Sequence, residues 1–225
     1  MTTTPLEPAE LAGLTLSAAM KQGSAIEHDE AEHSAFMDQL LGGHVNRAGY
    51  ADYLRALRPV YATLERLGRE LTDDPVAGPV IDAGLERLAA IDADLDYWAP
   101  GESHETDSAA ANAYAATIAA SAAWGGQYLA HHYTRYLGDL SGGQAVGKIL
   151  DRAFGLDGAG LAFYDFAEIG KSKPYKDEYR VKLDAIGATL TDEQRLTVVD
   201  EVRRAFRLNH DVFTELSGNL DRYRR

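Results

Sequence analysis

The sequence predicts an all-α fold, and three observations support that prediction. Apolar side chains recur three and four positions apart over long stretches, as from Tyr50 to Leu67 and from Val198 to Leu216, which is the spacing of one face of a helix. The alternation that is typical of strands is rare. Proline, glycine and capping residues stand where the periodic stretches begin or end. We therefore expect about seven to nine helices with short connections.

The helices in the first half of the chain follow from this punctuation. The first is predicted over Leu14–Leu41, and the next contains the stretch Tyr50–Leu67. Pro75 and Pro79 separate that helix from its successor, because proline removes a backbone donor and disfavours a helix before it. Pro100-Gly101 ends the following helix.

The second half is predicted in the same way. An alanine-rich stretch, Ala109–Ala123, favours helix and close packing, and it has no chemical content of its own. Pro174 lies at another helix start. Thr191 caps the last helix, since it precedes two acidic residues that favour a helix N-terminus.

The 225 residues include 22 Lys and Arg against 35 Asp and Glu, which gives a net charge of −13. Because nucleic acid is bound through clustered positive charge, this balance argues against a nucleic-acid-binding surface. No linker, repeat or low-complexity tract marks a boundary. We expect one domain over residues 1–225, with a core at about 14–216 and short flexible N- and C-terminal tails.

The sequence contains no cysteine, which excludes disulfides, a thiolate nucleophile and thiolate ligation of a metal. Any redox chemistry must therefore take its electrons from outside the chain. Met1–Glu10 lacks the basic and apolar regions of a signal peptide, and no stretch reaches the roughly 18 apolar residues of a membrane span. We expect a cytoplasmic protein without a membrane anchor.

A histidine and a carboxylate share one face of the first predicted helix. His28 and Glu32 are four residues apart, and Lys21 lies seven residues before His28. A metal-bound imidazole commonly has an acceptor near its second ring nitrogen, which fixes the tautomer. An exposed helix surface with ordinary polar pairs is the alternative interpretation.

The same segment contains Glu30-Ala-Glu-His33, the Glu-x-x-His spacing of di-iron carboxylate proteins. Such a site requires a second copy on another helix, and the sequence has none. We therefore do not favour a di-iron oxidase.

Three glycines interrupt a stretch that is otherwise patterned as helix. Gly138 and Gly142 are four apart, and Gly143 follows, although each glycine inside a helix costs up to about 1 kcal/mol against alanine. Removing side chains from one face lets the backbone lie against a flat ligand, and Gly-Gly supplies a kink. A loop or close helix packing would also explain the glycines.

Positive charge is concentrated in Lys171–Lys182, which has five cations against Asp177 and Glu178. Lys176 and Arg180 are four apart on one helical face and could hold a pair of ligand carboxylates. A solvated surface patch is the alternative.

Together these segments resemble the heme oxygenase family, in its soluble bacterial, biliverdin-producing branch. The resemblance rests on the run from Ala31 to Met37 that follows His28, on Arg135–Gly143, and on Tyr175–Arg180, and it extends from about Leu14 to Leu216. It implies an all-helical fold with heme held between a proximal helix and a kinked, glycine-rich distal helix.

The resemblance also implies roles for single positions. His28 resembles the proximal ligand of the heme iron, Glu32 the acceptor near its other ring nitrogen, and Asp139 the carboxylate that orders distal waters. The positions that match its catalytic surroundings are Gly138, Gly142, Arg135, Tyr61 and Asn209. The positions that match other heme-binding residues are Lys21, Met37, Tyr133, Gly138, Gly142, Gly143, Lys176, Arg180 and Phe206.

The activity implied is oxidative cleavage of heme at a meso carbon to biliverdin, carbon monoxide and ferrous iron. The α carbon is the expected position of cleavage. Heme b would be both substrate and cofactor, with O2 and external electrons consumed. Ferredoxin and ferredoxin reductase, or an equivalent donor, are the expected partners of a monomer. A non-degrading heme carrier or store of the same fold, and a helical binding module without heme, remain as alternatives.

Overall fold

The computed structural model describes residues 10–11 and 13–225, and it is built of helices. Apart from an isolated bridge between Val45 and Arg224, the described residues form no β-structure. The α-helices that follow Leu14 are α1 (Leu16–Gly23), α2 (Ala25–Glu32), α3 (Ala35–Leu41), α4 (Arg47–Glu70), α5 (Leu88–Trp98), α6 (Ala109–Ala120), α7 (Gly125–Gly138), α8 (Gln144–Phe154), α9 (Ser172–Gly187), α10 (Asp192–Ser217) and α11 (Leu220–Tyr223). A π-helical segment, Asp139–Gly143, joins α7 to α8. The all-α prediction is confirmed.

The single opening helix predicted over Leu14–Leu41 is wrong, because the chain forms α1, α2 and α3 there. Ser24 leaves helical geometry between α1 and α2, and Ser34 adopts an extended backbone and caps α3. Gly23 ends α1 where a Cβ would lie 2.5 Å from Val199 Cγ1 on α10, which explains a glycine at this position. These breaks, together with α11, raise the helix count above the expected seven to nine.

The predicted stops and starts further along are confirmed. Pro75 and Pro79 lie between α4 and α5, and α5 ends at Trp98 just before Pro100. Thr191 caps α10 by accepting from the Gln194 amide, while the Gln194 side chain accepts from the Thr191 amide. This reciprocal pair is the capping box that fixes the start of the longest helix.

Helix α10 holds the two parts of the candidate site in place. It packs against α2, which bears His28, and against α7, which leads into the glycine-rich segment. Helix α4 packs against α5 and α6 and lines the main core with Tyr50, Leu54 and Tyr61. The proximal and distal segments are therefore positioned through a common neighbour.

The expected flexible C-terminal tail is not found. Tyr223 is buried, and its carbonyl accepts from the Asn46 amide at 2.7 Å. The Arg225 amide donates to the His44 carbonyl at 2.8 Å. The C-terminus thus packs beside the start of α4. The predicted N-terminal tail and absence of a signal peptide concern Met1–Glu10, of which residues 1–9 lie outside the described residues. No described helix is long and apolar enough to cross a membrane.

Candidate functional site

The predicted iron ligand, His28, lies on α2 with 57% of its side chain exposed. Its Nδ1 is 3.6 Å from Glu32 Oε2, a distance that is longer than a hydrogen bond. The ring meets Phe206 of α10 edge-on, with 5.2 Å between the ring centroids. His28 therefore presents an accessible imidazole that is supported on one side, with a carboxylate near one ring nitrogen.

Other histidines near these helices are engaged or turned away. His33 lies beside Asp29 at 3.5 Å. His131 is fully buried and bonded to Glu201 at 2.9 Å. Burial lowers the pKa of His132 to about 3, and its Nδ1 lies 2.8 Å from the Tyr179 hydroxyl. Of these four histidines, His28 offers an accessible ring that faces a neighbouring helix.

The glycine-rich segment has an open face. A Cβ added at Gly138 or Gly142 would meet no other protein atom within 4 Å, and both glycines are exposed. Gly143, which was grouped with them, lies instead beside Tyr164, whose ring is 3.6 Å from the added Cβ. The backbone at Gly138 and Gly142 is thus bare on one side, as a flat ligand requires, while Gly143 packs inward.

The kink expected from Gly142-Gly143 takes the form of the π-helical segment Asp139–Gly143. A π turn inserts one residue into the hydrogen-bond ladder and shifts the facing of the residues after it. Gly138 and Gly142 remain on the outside of the segment, whereas Asp139 and Leu140 are buried. The kink therefore separates an open backbone face from a buried carboxylate only one residue away.

That carboxylate belongs to a buried polar network. The Tyr61 hydroxyl donates to Asp139 Oδ2, and the Arg135 guanidinium donates to Asp139 Oδ1 at 3.3 Å. Arg135 also donates to the Tyr61 hydroxyl at 3.0 and 3.2 Å and to Asn209 Oδ1 at 2.6 Å. The structure therefore brings together four of the predicted residues, from α4, α7, the π segment and α10. Asp139, which the resemblance assigns to the ordering of distal waters, accepts directly from the Tyr61 and Arg135 side chains.

In this network, burial and the neighbouring charges have opposite effects on the pKa values of Asp139 and Arg135. Burial raises the pKa of the Asp139 carboxyl, while the Arg135 charge and the Tyr61 hydrogen bond lower it, and the balance lies above the ordinary value. Burial would lower the pKa of Arg135, but the neighbouring Tyr61 and Asp139 raise it well above its usual range. Arg135 thus supplies a permanent charge that stabilises the ionised form of Asp139, and burial acts against that form.

Replacing Tyr61 with Phe is expected to raise the pKa of Asp139 further, because the variant loses a hydrogen bond that favours the carboxylate. The folded-state pKa already exceeds the unfolded value, so the variant should take up its proton at a higher pH than the wild type. Carboxyl carbon NMR of the heme-free protein, assigned with Asp139→Asn, measures the shift. Tyr50→Phe is the matched control, since Tyr50 is a fully buried tyrosine of the same helix. An equal shift in both variants would contradict the assignment.

Two tyrosines near the network were not identified from the sequence. Burial raises the pKa of Tyr53 to about 12, and the charges of Arg135 and Asp139 also act on its hydroxyl. The same two charges act on Tyr114, which comes from the alanine-rich helix α6. Its isolation as the single aromatic among alanines was the available signal.

Cations of α9 lie beside the π segment. The Lys176 amino group donates to the Ser141 hydroxyl at 2.9 Å, and Arg180 pairs with Asp177 at 2.9 Å. Burial raises the pKa of Tyr133, and the charge of Arg180 lowers it. Lys21 is exposed at the last turn of α1, which packs against α9.

The two predicted lining residues differ in position. Phe206 packs against the main core and against a second apolar cluster that includes Leu129 and Val198, and its ring contacts His28. Met37 is half-buried on α3 against the main core. Phe206 therefore contacts the His28 ring directly, and Met37 lies on α3, the helix that follows α2.

A separate surface cavity of about 370 Å3 lies between α4, α10 and the loop before α6. It contains none of the residues predicted to bind heme. Its principal cation, Arg55, is paired with Asp52 and Glu102, both at 2.7 Å. We therefore place the candidate site at the exposed His28 ring, the open glycine face and Lys176 of α9, which are the predicted binding groups that lie at the surface.

Most of the chain is similar to proteins named heme oxygenase. The family model described as heme oxygenase matches residues 14–215. Heme oxygenase 1 of Synechocystis sp. is 34% identical over 210 residues, which cover 92% of this chain and 87% of that protein. Heme oxygenase 1 of Homo sapiens is 35% identical over 211 residues, covering 91% of this chain and 73% of the human protein.

Solved structures agree with this similarity. The crystal structure of heme oxygenase-1 from the cyanobacterium Synechocystis sp. in complex with heme matches with a TM-score of 0.87 and 32% identity, covering 93% of this chain and 95% of that chain. The structure of heme oxygenase from Leptospira interrogans matches with a TM-score of 0.84 and 30% identity, covering 90% and 100%.

Proposed function

The chain belongs to the heme oxygenase family, and we propose that it cleaves heme b oxidatively at a meso carbon to biliverdin, carbon monoxide and ferrous iron. The observation that carries this function is the bare backbone at Gly138 and Gly142 directly beside the buried Asp139 network. A flat macrocycle can lie against the bare backbone, and the Asp139 network can supply protons beside it.

The residues present fit heme. His28 would hold the iron from the proximal side, Gly138 and Gly142 would cover the distal face, and Lys176 and Arg180 would hold the propionates. Heme, when bound, supplies the iron that activates O2 and is itself the molecule oxidised. An exposed imidazole and a face that no Cβ fills support this arrangement.

The chain's own contribution is control of protons. Side chains that act as acid or base beside iron promote early cleavage of the O–O bond, and glycine backbone at Gly138 and Gly142 removes them from that position. Asp139 stays behind the backbone, where Tyr61 and Arg135 occupy one direction on each carboxylate oxygen. The remaining lone pairs of Oδ1 and Oδ2 are free to accept hydrogen bonds from water and so orient it toward the cleft.

A non-degrading heme carrier of the same fold is not favoured. A carrier requires the proximal histidine and the cations, but it gains nothing from a buried Asp139 whose charge is costly to bury and needs Arg135, Tyr61 and Asn209 to compensate. A protein that only binds heme could replace this network with apolar side chains at no loss.

Aerobic turnover of the purified protein with heme and reduced ferredoxin tests the proposal. We expect loss of the heme absorption band with the appearance of biliverdin, identified by chromatography together with its isomer. A stable oxygenated complex under continuous electron supply would instead establish a carrier, and absence of heme binding would exclude both functions.

We also propose an external donor, of the ferredoxin and ferredoxin reductase class, because a chain without cysteine has no thiol electron carrier. Replacement of ferredoxin by ascorbate in the same assay measures how specific this supply is. We further propose that the protein is cytoplasmic and monomeric. Sedimentation with and without heme tests the oligomeric state.

Removing both cations of the clamp is expected to change which meso carbon is cleaved. In Lys176→Ala/Arg180→Ala, heme loses two charge-assisted contacts that fix its rotation in the cleft. Chromatography of the biliverdin isomers measures the effect, and Lys182→Ala is the control because Lys182 pairs with Glu178 on the same helix. An unaltered isomer ratio in the double variant would show that these residues do not orient heme.

A further inference from the structure

The cations of α9 differ in their partners. Lys173 and Arg180 pair with Asp177, and Lys182 pairs with Glu178. Lys176 has no carboxylate within ion-pair distance among the described residues, and its amino group donates to the neutral Ser141 hydroxyl at 2.9 Å. Lys176 is thus the cation of this helix that has charge to offer a ligand.

Ser141 belongs to the distal π segment, not to α9. It is exposed, and in sequence it lies between Gly138 and Gly142, whose backbone is bare. The contact with Lys176 therefore crosses the edge of the cleft from the clamp to the distal wall. The sequence pattern did not identify Ser141, because nothing in the motif indicates which way its hydroxyl faces.

The surroundings of Lys176 favour an anionic ligand. Partial burial and the nearby charge of Arg180 lower the pKa of the Lys176 amino group, the charge of Asp177 raises it, and the balance lies below the ordinary value. A neutral hydroxyl compensates neither effect, whereas a carboxylate placed between Lys176 and Arg180 would compensate both.

Building on the proposed function, we propose that Ser141 is a positioning residue for heme: its hydroxyl holds the Lys176 amino group at the cleft edge and, with heme bound, shares a propionate with it. Ser141 moves with the π segment, so this contact ties the propionate clamp to the wall that covers the macrocycle. It thereby fixes how heme is rotated beneath Gly138 and Gly142.

The test is the Ser141→Ala variant, with Ser141→Thr to restore the hydroxyl and Lys173→Ala as a matched control on the same helix. Heme transfer to excess apomyoglobin gives the dissociation rate, and NMR of the ferric complex gives the ratio of the two heme orientations. We expect Ser141→Ala to release heme about 5- to 10-fold faster, the loss of about one hydrogen bond, and to change the orientation ratio. Ser141→Thr should behave as the wild type.

A second measurement separates positioning from stability. Ser141→Ala and Lys176→Ala should be non-additive when combined, because they remove the same contact. Wild-type rates and orientation in Ser141→Ala, with heme bound and turned over normally, would overturn the role of Ser141 and leave the proposed function intact. If the wild type itself binds no heme, both proposals fail.

Discussion

Asp139→Ala is expected to bind heme normally and to form biliverdin at least about 100-fold more slowly, the scale of a lost proton-transfer group. Heme binding should survive because the carboxylate is buried behind the backbone and does not line the open face of the segment. Turnover should fail because nothing else in the network can replace it. Tyr61 and Asn209 are neutral, and Arg135 has no acceptor to offer water.

Asp139→Asn sharpens this experiment, since it keeps the shape and removes the charge. Spectra of the ferric complex, bilin yield and isomer are measured for both variants, with the exposed Asp200→Asn as the control. If turnover is diverted from its normal course, we expect heme to be oxidised without formation of a bilin. Normal biliverdin formation by Asp139→Asn would remove the carboxylate from the mechanism.

Much of the fold was predictable because helix formation depends on residues that are close together in sequence. The periodicity of α4 and α10 and the cap at Thr191 depend on neighbours within one or two turns. The division of the first segment at Ser24 and Ser34 was less visible, because its apolar spacing continues across both breaks. At the first break the chain makes a tertiary contact, since Gly23 lies close to Val199, which is far away in sequence.

The candidate site divides in the same way. Gly138, Gly142 and Asp139 could be selected from one short motif, since a glycine that costs helix stability needs an explanation. Their partners are remote: Tyr61 and Asn209 each lie 74 residues from Arg135. Family resemblance supplied those two positions. No local pattern supplied Tyr53 or the direction of the Ser141 hydroxyl.

The distal segment combines two costly features that make sense only together. Two glycines weaken the helix, and a buried carboxylate requires an arginine, a tyrosine and an asparagine around it. The π turn lets one short stretch present both, with bare backbone outward and Asp139 inward. A structural helix would be more stable without either feature, which favours a site that handles protons next to a flat ligand.

His28→Ala is expected to change the heme spectrum and to lower turnover more than about tenfold, because the axial ligand controls the electronic state of heme iron. The exposed ring lies beside Phe206, so its removal leaves room that free imidazole can fill. Added imidazole should therefore restore the spectrum and part of the turnover. His33→Ala is the matched control, since His33 is also exposed with an acidic residue four positions away. A spectrum that survives in His28→Ala and is lost in His33→Ala would transfer the ligand to His33. That exchange is disfavoured by the structure, in which His28 is the one of the two with a ring contact to α10, the helix that also holds the distal segment.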